Sequence, residues 1–296
     1  MIDVSAGLAR FGPTLGLLYG ATFWGLVWYP TRLLEQAGLQ GVWFTLIGYG
    51  VAFVAFAPFA HLRWAAVARQ PWEVMWLIAA AGWTNVAFVL AVLEGEVVRV
   101  VLLFYLSPLW TVLFGRWLLH ERLGVRTVLM LVLGLGGALV MLWDPALGRV
   151  PLNRADLLAA SAGFAFALNN VMTRRITALG IRGKTQVAWF GVVLVSSVMV
   201  AFTAPDLPDV PVHAWALAVM LGLGGFLLST LAVTYGVTHM PVQRSAVIML
   251  FELIVGAASA WWLAAEAVSL QEWLGGALIL VAALIAIFSD DTEQRV

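Results

Sequence analysis

Residues 97–118 read VVRVVLLFYLSPLWTVLFGRWL, an apolar run whose two charges, Arg99 and Arg116, sit close to its ends and whose centre holds Pro108. About 20 mostly apolar residues in a helix cross the hydrocarbon of a bilayer. In lipid an unpaired backbone N–H or C=O is too costly to leave open, so a spanning run of this kind is helical. Pro108 should bend that helix, because proline brings no N–H to the carbonyl four residues earlier. This stretch predicts a kinked membrane helix.

Nine further runs of the same kind flank it, at 13–33, 41–61, 72–93, 123–143, 155–177, 185–204, 212–236, 241–264 and 270–288. Pro71, Pro211 and Pro241 stand where helices open, and the stretch PDLPDVP at 205–211 cannot continue one. The composition agrees: 62% of residues are hydrophobic and 11% charged, where an average soluble domain is roughly a quarter charged. A water-soluble chain of this length could not hide so much apolar surface. The expected class is an all-α integral membrane protein of ten transmembrane helices. A net charge of zero offers no surface for a polyanion, so nucleic acid is not an expected partner. The chain has no cysteine, which removes disulfides, thiolate chemistry and Cys-based metal sites; neither a metal nor a cofactor is expected.

Lys and Arg set the orientation. With the N-terminus in the cytoplasm, that side holds Arg10, Arg63, Arg69, Arg116, Arg122, Arg126, Arg174, Arg175, Arg182, Lys184, Arg244 and Arg295. The other side holds only Arg32, Arg99, Arg149 and Arg154. Both termini are therefore expected inside. The start of the chain, with Asp3 before a single Arg10 and a long apolar stretch after it, does not read as a cleaved secretory peptide. Trp43, Trp64, Trp72, Trp117, Trp143, Trp215 and Trp273 fall near helix ends, as an interfacial aromatic belt does.

The run at 97–118 has a second copy. A shift of 145 residues lays Arg99 on Arg244, Trp117 on Trp262, Leu118 on Leu263 and Glu121 on Glu266. A shift of 142 lays Ala21 and Gly25 on Gly163 and Ala167, Thr31-Arg32 on Thr173-Arg174 and Gly38 on Gly180. The longest polar interruption, DPALGRVPLNR at 144–154, is the natural join, dividing the chain into 1–148 and 149–296. Five helices is an odd number, so the second half enters the membrane inverted. Inverted repeats recur in secondary transporters, where two similar halves exchange conformations and open a site alternately to each side. Stripes of small residues (Gly12, Gly16 and Gly20; Ala155, Ala159, Gly163 and Ala167; shorter pairs at Gly134–Ala138 and Gly256–Ala260) read as close helix packing. Gly222-Leu-Gly-Gly225 follows no strand and does not read as a phosphate loop.

Among polar residues Glu252 stands out as the acidic residue deep in a span, where a charge costs about 3 kcal/mol on insertion scales. It reads either as a binder of a substrate amino group or a proton, or as a hydrogen-bonding link to a neighbouring helix. Thr84, Asn85, Tyr105, Ser107, Asn169, Asn170, Ser229, Thr230 and Thr234 also fall near mid-span. Ser and Thr there can bond back to their own helix, whereas an Asn cannot satisfy its whole amide that way, which marks Asn85 and Asn169. Trp24, Trp83, Tyr105 and Phe166 bring aromatic rings to the same depth. Arg99 and Arg244 open equivalent helices at opposite faces and are candidate gate residues, against the plainer reading of flanking charge.

The run 104–123, FYLSPLWTVLFGRWLLHERL, with its counterpart from Phe251-Glu-Leu-Ile-Val to Glu266, resembles the EamA repeat of the drug/metabolite transporter superfamily, and Trp24 in Thr-Phe-Trp-Gly resembles that family's first helix. Within it, Trp24, Trp83 and Tyr105-Leu-Ser-Pro108 look most like the YddG-type exporters of aromatic and other neutral amino acids. That resemblance implies a central cavity lined mainly by helices 1, 3, 4, 6, 8 and 9, with Trp24, Trp83, Tyr105, Ser107 and Phe166 on its wall. It further implies export of neutral, aromatic amino acids from the bacterial cytoplasm across the inner membrane. The chain departs from the branch at Ser107, where a Trp is usual, and at Leu253, where many members have Pro after the Glu.

The residues themselves point the same way. Aromatic rings would enclose a substrate side chain, and Asn85, Asn169, Tyr105 and Glu252 would pair its polar groups. No nucleotide-binding motif appears, so a gradient of substrate or of protons supplies the energy, with proton coupling through Glu252 left open. The alternative cargo is another small metabolite or drug; nucleotide sugars usually need mid-span basic residues, and there are none. An enzyme is not expected: the aspartates lie in loops or at termini, His61, His120, His213 and His239 lie near span ends, and no catalytic dyad or triad assembles. A scaffold or channel subunit gives no reason for the repeat.

Overall fold

The structure, a computed structural model, describes residues 4–39, 41–62, 64–144, 151–203, 206–264 and 268–288. Arg63, Arg149, Pro205, Glu266, Arg295 and the expected boundary at 148/149 lie outside the described residues, as does the side chain of Arg10.

The described residues form helices and connections, with no strand among them. In order these are α1 (Val4–Leu26), α2 (Trp28–Gln36), α3 (Gly41–Phe56), α4 (Trp64–Val67), α5 (Pro71–Glu94), α6 (Val97–Phe104), α7 (Ser107–Leu118) and α8 (Val125–Leu142). They continue as α9 (Arg154–Arg175), α10 (Ile181–Thr203), α11 (Val212–Met220), α12 (Leu227–His239), α13 (Val242–Met249), α14 (Phe251–Ala264) and α15 (Leu270–Phe288). Nine helical segments among the described residues are long and apolar enough to cross a membrane: 41–59, 71–94, 97–118, 125–142, 154–175, 181–203, 212–239, 242–264 and 270–288. They coincide with nine of the ten expected runs. The remaining run falls on α1 and α2, which part at Val27, where Pro30 has no N–H for the Leu26 carbonyl.

Local chemistry sets several boundaries. Pro71 opens α5 at a position whose N–H would have no partner anyway. α9 opens on a capping box, in which the Asn153 side chain accepts from the Asp156 N–H and the Asp156 carboxylate accepts from the Asn153 N–H. The glycine-rich Leu221–Phe226 segment between α11 and α12 is a π-helical turn that the sequence reading did not anticipate.

α5 packs on α9 and α10, α1 on α12 and α14, α10 on α3 and α8 on α15, while α6 and α7 both lie against α9. Small residues allow these approaches. A Cβ at Gly16 of α1 would stand 2.7 Å from the Ala232 carbonyl of α12. Large apolar side chains face outward along the rods, Val54 at 70% exposure and Leu157 at 68%, as a lipid surrounding requires. Trp64, Trp72, Trp117, Trp143 and Trp273 are exposed near segment ends. Thr22, Thr45, Thr84 and Thr111 donate to the carbonyl four residues earlier, as expected for hydroxyls in an apolar helix.

Candidate functional site

The quoted stretch bends where its proline demands. Pro108 leaves the Phe104 carbonyl without its i+4 donor, and the helix parts at Tyr105 and Leu106. The backbone tightens there into i to i−3 bonds, Leu106 N–H to Leu103 C=O at 3.3 Å and Leu109 N–H to Leu106 C=O at 3.0 Å. The Phe104 carbonyl, without that donor, packs against Gly163 of α9, where a Cβ would lie 2.5 Å from the oxygen. Only a glycine lets α9 lie this close to the bend.

The segment 242–264 bends too, without a proline. α13 ends at Met249 and α14 begins at Phe251, with Leu250 N–H bonded to Val247 C=O at 3.1 Å and Leu253 N–H to Leu250 C=O at 3.0 Å. The absence of proline at 253 gave no sign of this. The bend coincides with a close approach from α1, where a Cβ at Gly25 would stand 2.6 Å from the Glu252 carbonyl.

The two bends are joined. The Tyr105 hydroxyl donates to the Glu252 carboxylate, and Tyr105 also packs against the buried cluster of Ala138, Met141, Leu250 and Ile279. Glu252 is the one Asp, Glu, Lys or Arg that lies more than four residues from either end of the nine segments. Its position in the first turn of α14 puts a carboxyl group at the positive end of that half-helix. Half-helices meeting mid-membrane are where transporters bind substrates and coupling ions.

Aromatic rings gather on two sides. Phe104 contacts Tyr105, Phe166 and Phe88 at centroid distances of 5.7, 5.4 and 5.0 Å. A second group centres on Phe226, which contacts Phe23, Trp24, Phe44 and Tyr49 at 4.7 to 5.6 Å. The Asn85 amide engages the Tyr49 hydroxyl and donates to the Ala81 carbonyl at 3.0 Å. The structure thus brings Tyr105, Glu252 and Phe166 into one cluster, and Trp24 and Asn85 into another. Ser107 is buried at the start of α7. Trp83 is exposed and donates to the Ser161 hydroxyl at 3.1 Å, and among the described residues its ring pairs with no ring of either cluster. Asn169 donates to the Asn170 amide oxygen at 3.4 Å, and its own oxygen is buried without a partner.

The candidate gate residues sit at opposite ends of the bundle. Arg99 forms a buried bidentate pair with Asp156, both contacts 2.7 Å. Arg244 donates to the Ala286 carbonyl at 2.7 Å and to that of Ile287 at 3.4 Å. Asp156 escaped the sequence reading as a partner, although Asn153-x-x-Asp156 is a capping pattern that fixes it in the first turn of α9. At the end shared with Arg244, Glu121 accepts from Arg174 at 2.8 Å and from the Val242 N–H at 3.2 Å. Burial holds the Glu121 carboxyl above its ordinary value of 4.5, with Arg174 pulling it down.

A cavity of about 760 Å3 opens at this same end, between Phe56–His61, Ala178–Gly183, Leu231 and Tyr235. None of the ten expected site and gate residues lines it.

A bundle of apolar membrane-crossing helices, two of them bent and bonded to each other around one mid-span carboxylate, is the architecture of a multi-pass membrane transporter of small solutes. Residues 12–143 and 153–288 each match the EamA-like transporter family, within the drug/metabolite transporter superfamily. The chain belongs to that family. It is 26% identical over 203 residues to an uncharacterized transporter of Archaeoglobus fulgidus, covering 69% of this chain and 72% of the relative. A solved structure titled only as the crystal structure of a protein superposes with a TM-score of 0.77 at 21% identity, covering 93% of this chain and 96% of the other, a likeness of fold.

Proposed function

We propose that this chain is a secondary transporter or facilitator that exports neutral amino acids, aromatic ones foremost, across the bacterial inner membrane by alternating access. In this reading it has ten spans, the first formed by α1 and α2, arranged as two inverted halves around a central site. The observation that carries it is the Tyr105–Glu252 hydrogen bond, which ties the bend of one half to the bend of the other.

Other features support it. The segments starting at Val97 and Val242 share the 145-residue offset of the sequence repeat. The helix contacts come in exchange-related pairs: α5 with α9 against α12 with α1, and α7 with α9 against α14 with α1. Arg69, Arg116, Arg122, Arg126, Arg174, Arg175, Arg182, Lys184 and Arg244 gather at one end, with Arg32, Arg99 and Arg154 at the other, which favours the first end as cytoplasmic. The rings of Phe104, Phe166 and Phe88 offer surface to an aromatic side chain. Glu252 also supplies a group able to exchange a proton for cargo.

Proteoliposomes holding the purified protein should take up radiolabelled Phe, Met or Thr faster than empty liposomes. Correctly inserted protein that moves none of them would sink the amino-acid reading and leave another metabolite or drug as cargo.

A further inference from the structure

The groups around the two bends accept hydrogen bonds far more than they donate them. The Glu252 carboxylate has room for several donors and, among the described residues, receives one, the Tyr105 hydroxyl. The Phe104 carbonyl has lost its i+4 donor to Pro108. Phe166 contacts Phe104, and Asn169, one turn further along α9, holds a buried amide oxygen with no partner.

Cations are missing from the same depth. Every Arg and Lys of the nine segments lies within four residues of an end. The buried and half-buried ones are engaged: Arg99 with Asp156, Arg174 with Glu121, Arg175 with the Leu118 carbonyl, Lys184 with the Thr238 hydroxyl and Arg244 with the Ala286 carbonyl. A zwitterion placed here finds a carboxylate for its ammonium and no charged partner for its own carboxylate. Taking a carboxylate out of water without such a partner is expensive.

We propose that the Tyr105–Glu252 site selects a primary ammonium group and does not require a carboxylate, so that the chain takes primary arylalkyl amines as substrates beside, and in preference to, the corresponding amino acids. The ammonium displaces the Tyr105 hydroxyl from the Glu252 carboxylate, and the aryl group meets the rings of Phe104 and Phe166. The inference rests on the reading that these bends form the substrate site. It replaces recognition of an amino acid as a whole by recognition of its amino end.

Three ligands that share one phenyl group decide the matter by thermal-shift and tryptophan-fluorescence titration of the purified protein: 2-phenylethylamine, phenylalanine and 3-phenylpropionate. The amine is expected to bind most tightly and the acid, which lacks the amino group, on the order of 100-fold more weakly or not at all. Glu252→Gln should abolish the amine's shift, while Tyr105→Phe, which frees the carboxylate of its present donor, should preserve or strengthen it. Phenylpropionate binding as well as the amine, or amine binding that survives Glu252→Gln, overturns the proposal, and the ligand series alone suffices if that variant fails to fold. Phenylalanine uptake without amine binding would overturn the inference and leave the amino-acid reading standing. Amine binding without phenylalanine uptake would do the reverse.

Discussion

Gly163→Ala probes the bend of the quoted helix. The added Cβ would sit 2.5 Å from the Phe104 carbonyl oxygen, 0.9 Å inside the 3.4 Å at which ordinary contact begins, with the Phe104 Cα and carbonyl carbon at 3.2 Å. All three neighbours are backbone, so no rotamer change relieves the clash and α9 must retreat from α6. Overpacking of this kind costs about 1–3 kcal/mol. The right control is Gly136→Ala in α8, where nothing lies within 4 Å of a new Cβ and helix propensity favours Ala by about 0.5–1 kcal/mol. Because Gly163 is also interior to a helix, that propensity gain is common to both, and the two variants should differ by the overpacking cost, about 1–3 kcal/mol, in equilibrium unfolding by denaturing detergent, with Gly163→Ala the weaker. If they unfold together, within about 0.5 kcal/mol, α9 is not seated on the Phe104 carbonyl and the account of the bend fails.

Asp156→Asn strips the buried Arg99 of its charged partner and should cost about 3–5 kcal/mol, whereas replacing both by apolar residues of similar volume should cost far less; detergent unfolding of the single and double variants measures both. Asn153→Ala, which removes half of the α9 capping box, should cost about 1 kcal/mol in the same assay. The Glu121 carboxyl is raised above 4.5 in the folded protein, so its contribution to stability is full below that value and is lost as the pH rises through the raised one. Melting temperatures across pH should show the wild type losing ground to Glu121→Gln on the way up from about 4.5, and a pH-independent difference would contradict the burial of that group.

Much of the architecture was legible because lipid imposes a strong and local rule. Each span must be an apolar helix, so nine expected runs reappear as helices, and Pro108 announced the bend in 97–118 through a missing N–H. What depended on long-range packing was hidden. Leu250 carries no local signal for the second bend, which coincides with the approach of Gly25 from α1. Glu252 was conspicuous as a charge in an apolar run, and Tyr105 was conspicuous beside Pro108. Their hydrogen bond spans 147 residues and has no trace in either stretch. Phe226 looks like any apolar residue of a span, yet it is the centre of the aromatic group around Trp24. Asp156 was expected, with the other aspartates, in a loop or at a terminus; it lies in the first turn of α9, and its partner Arg99, on another helix, has no trace in the local sequence.

Counterflow of radiolabelled phenylalanine in proteoliposomes, wild type beside Glu252→Gln, tests the central claim most directly. The wild type should accumulate label against unlabelled internal substrate. The variant, which loses a charge-assisted contact worth about 1.5–3 kcal/mol, should run at least about tenfold slower at the same protein density. Counterflow that is undiminished in Glu252→Gln would show that cargo does not pass through the place where the two bent helices meet.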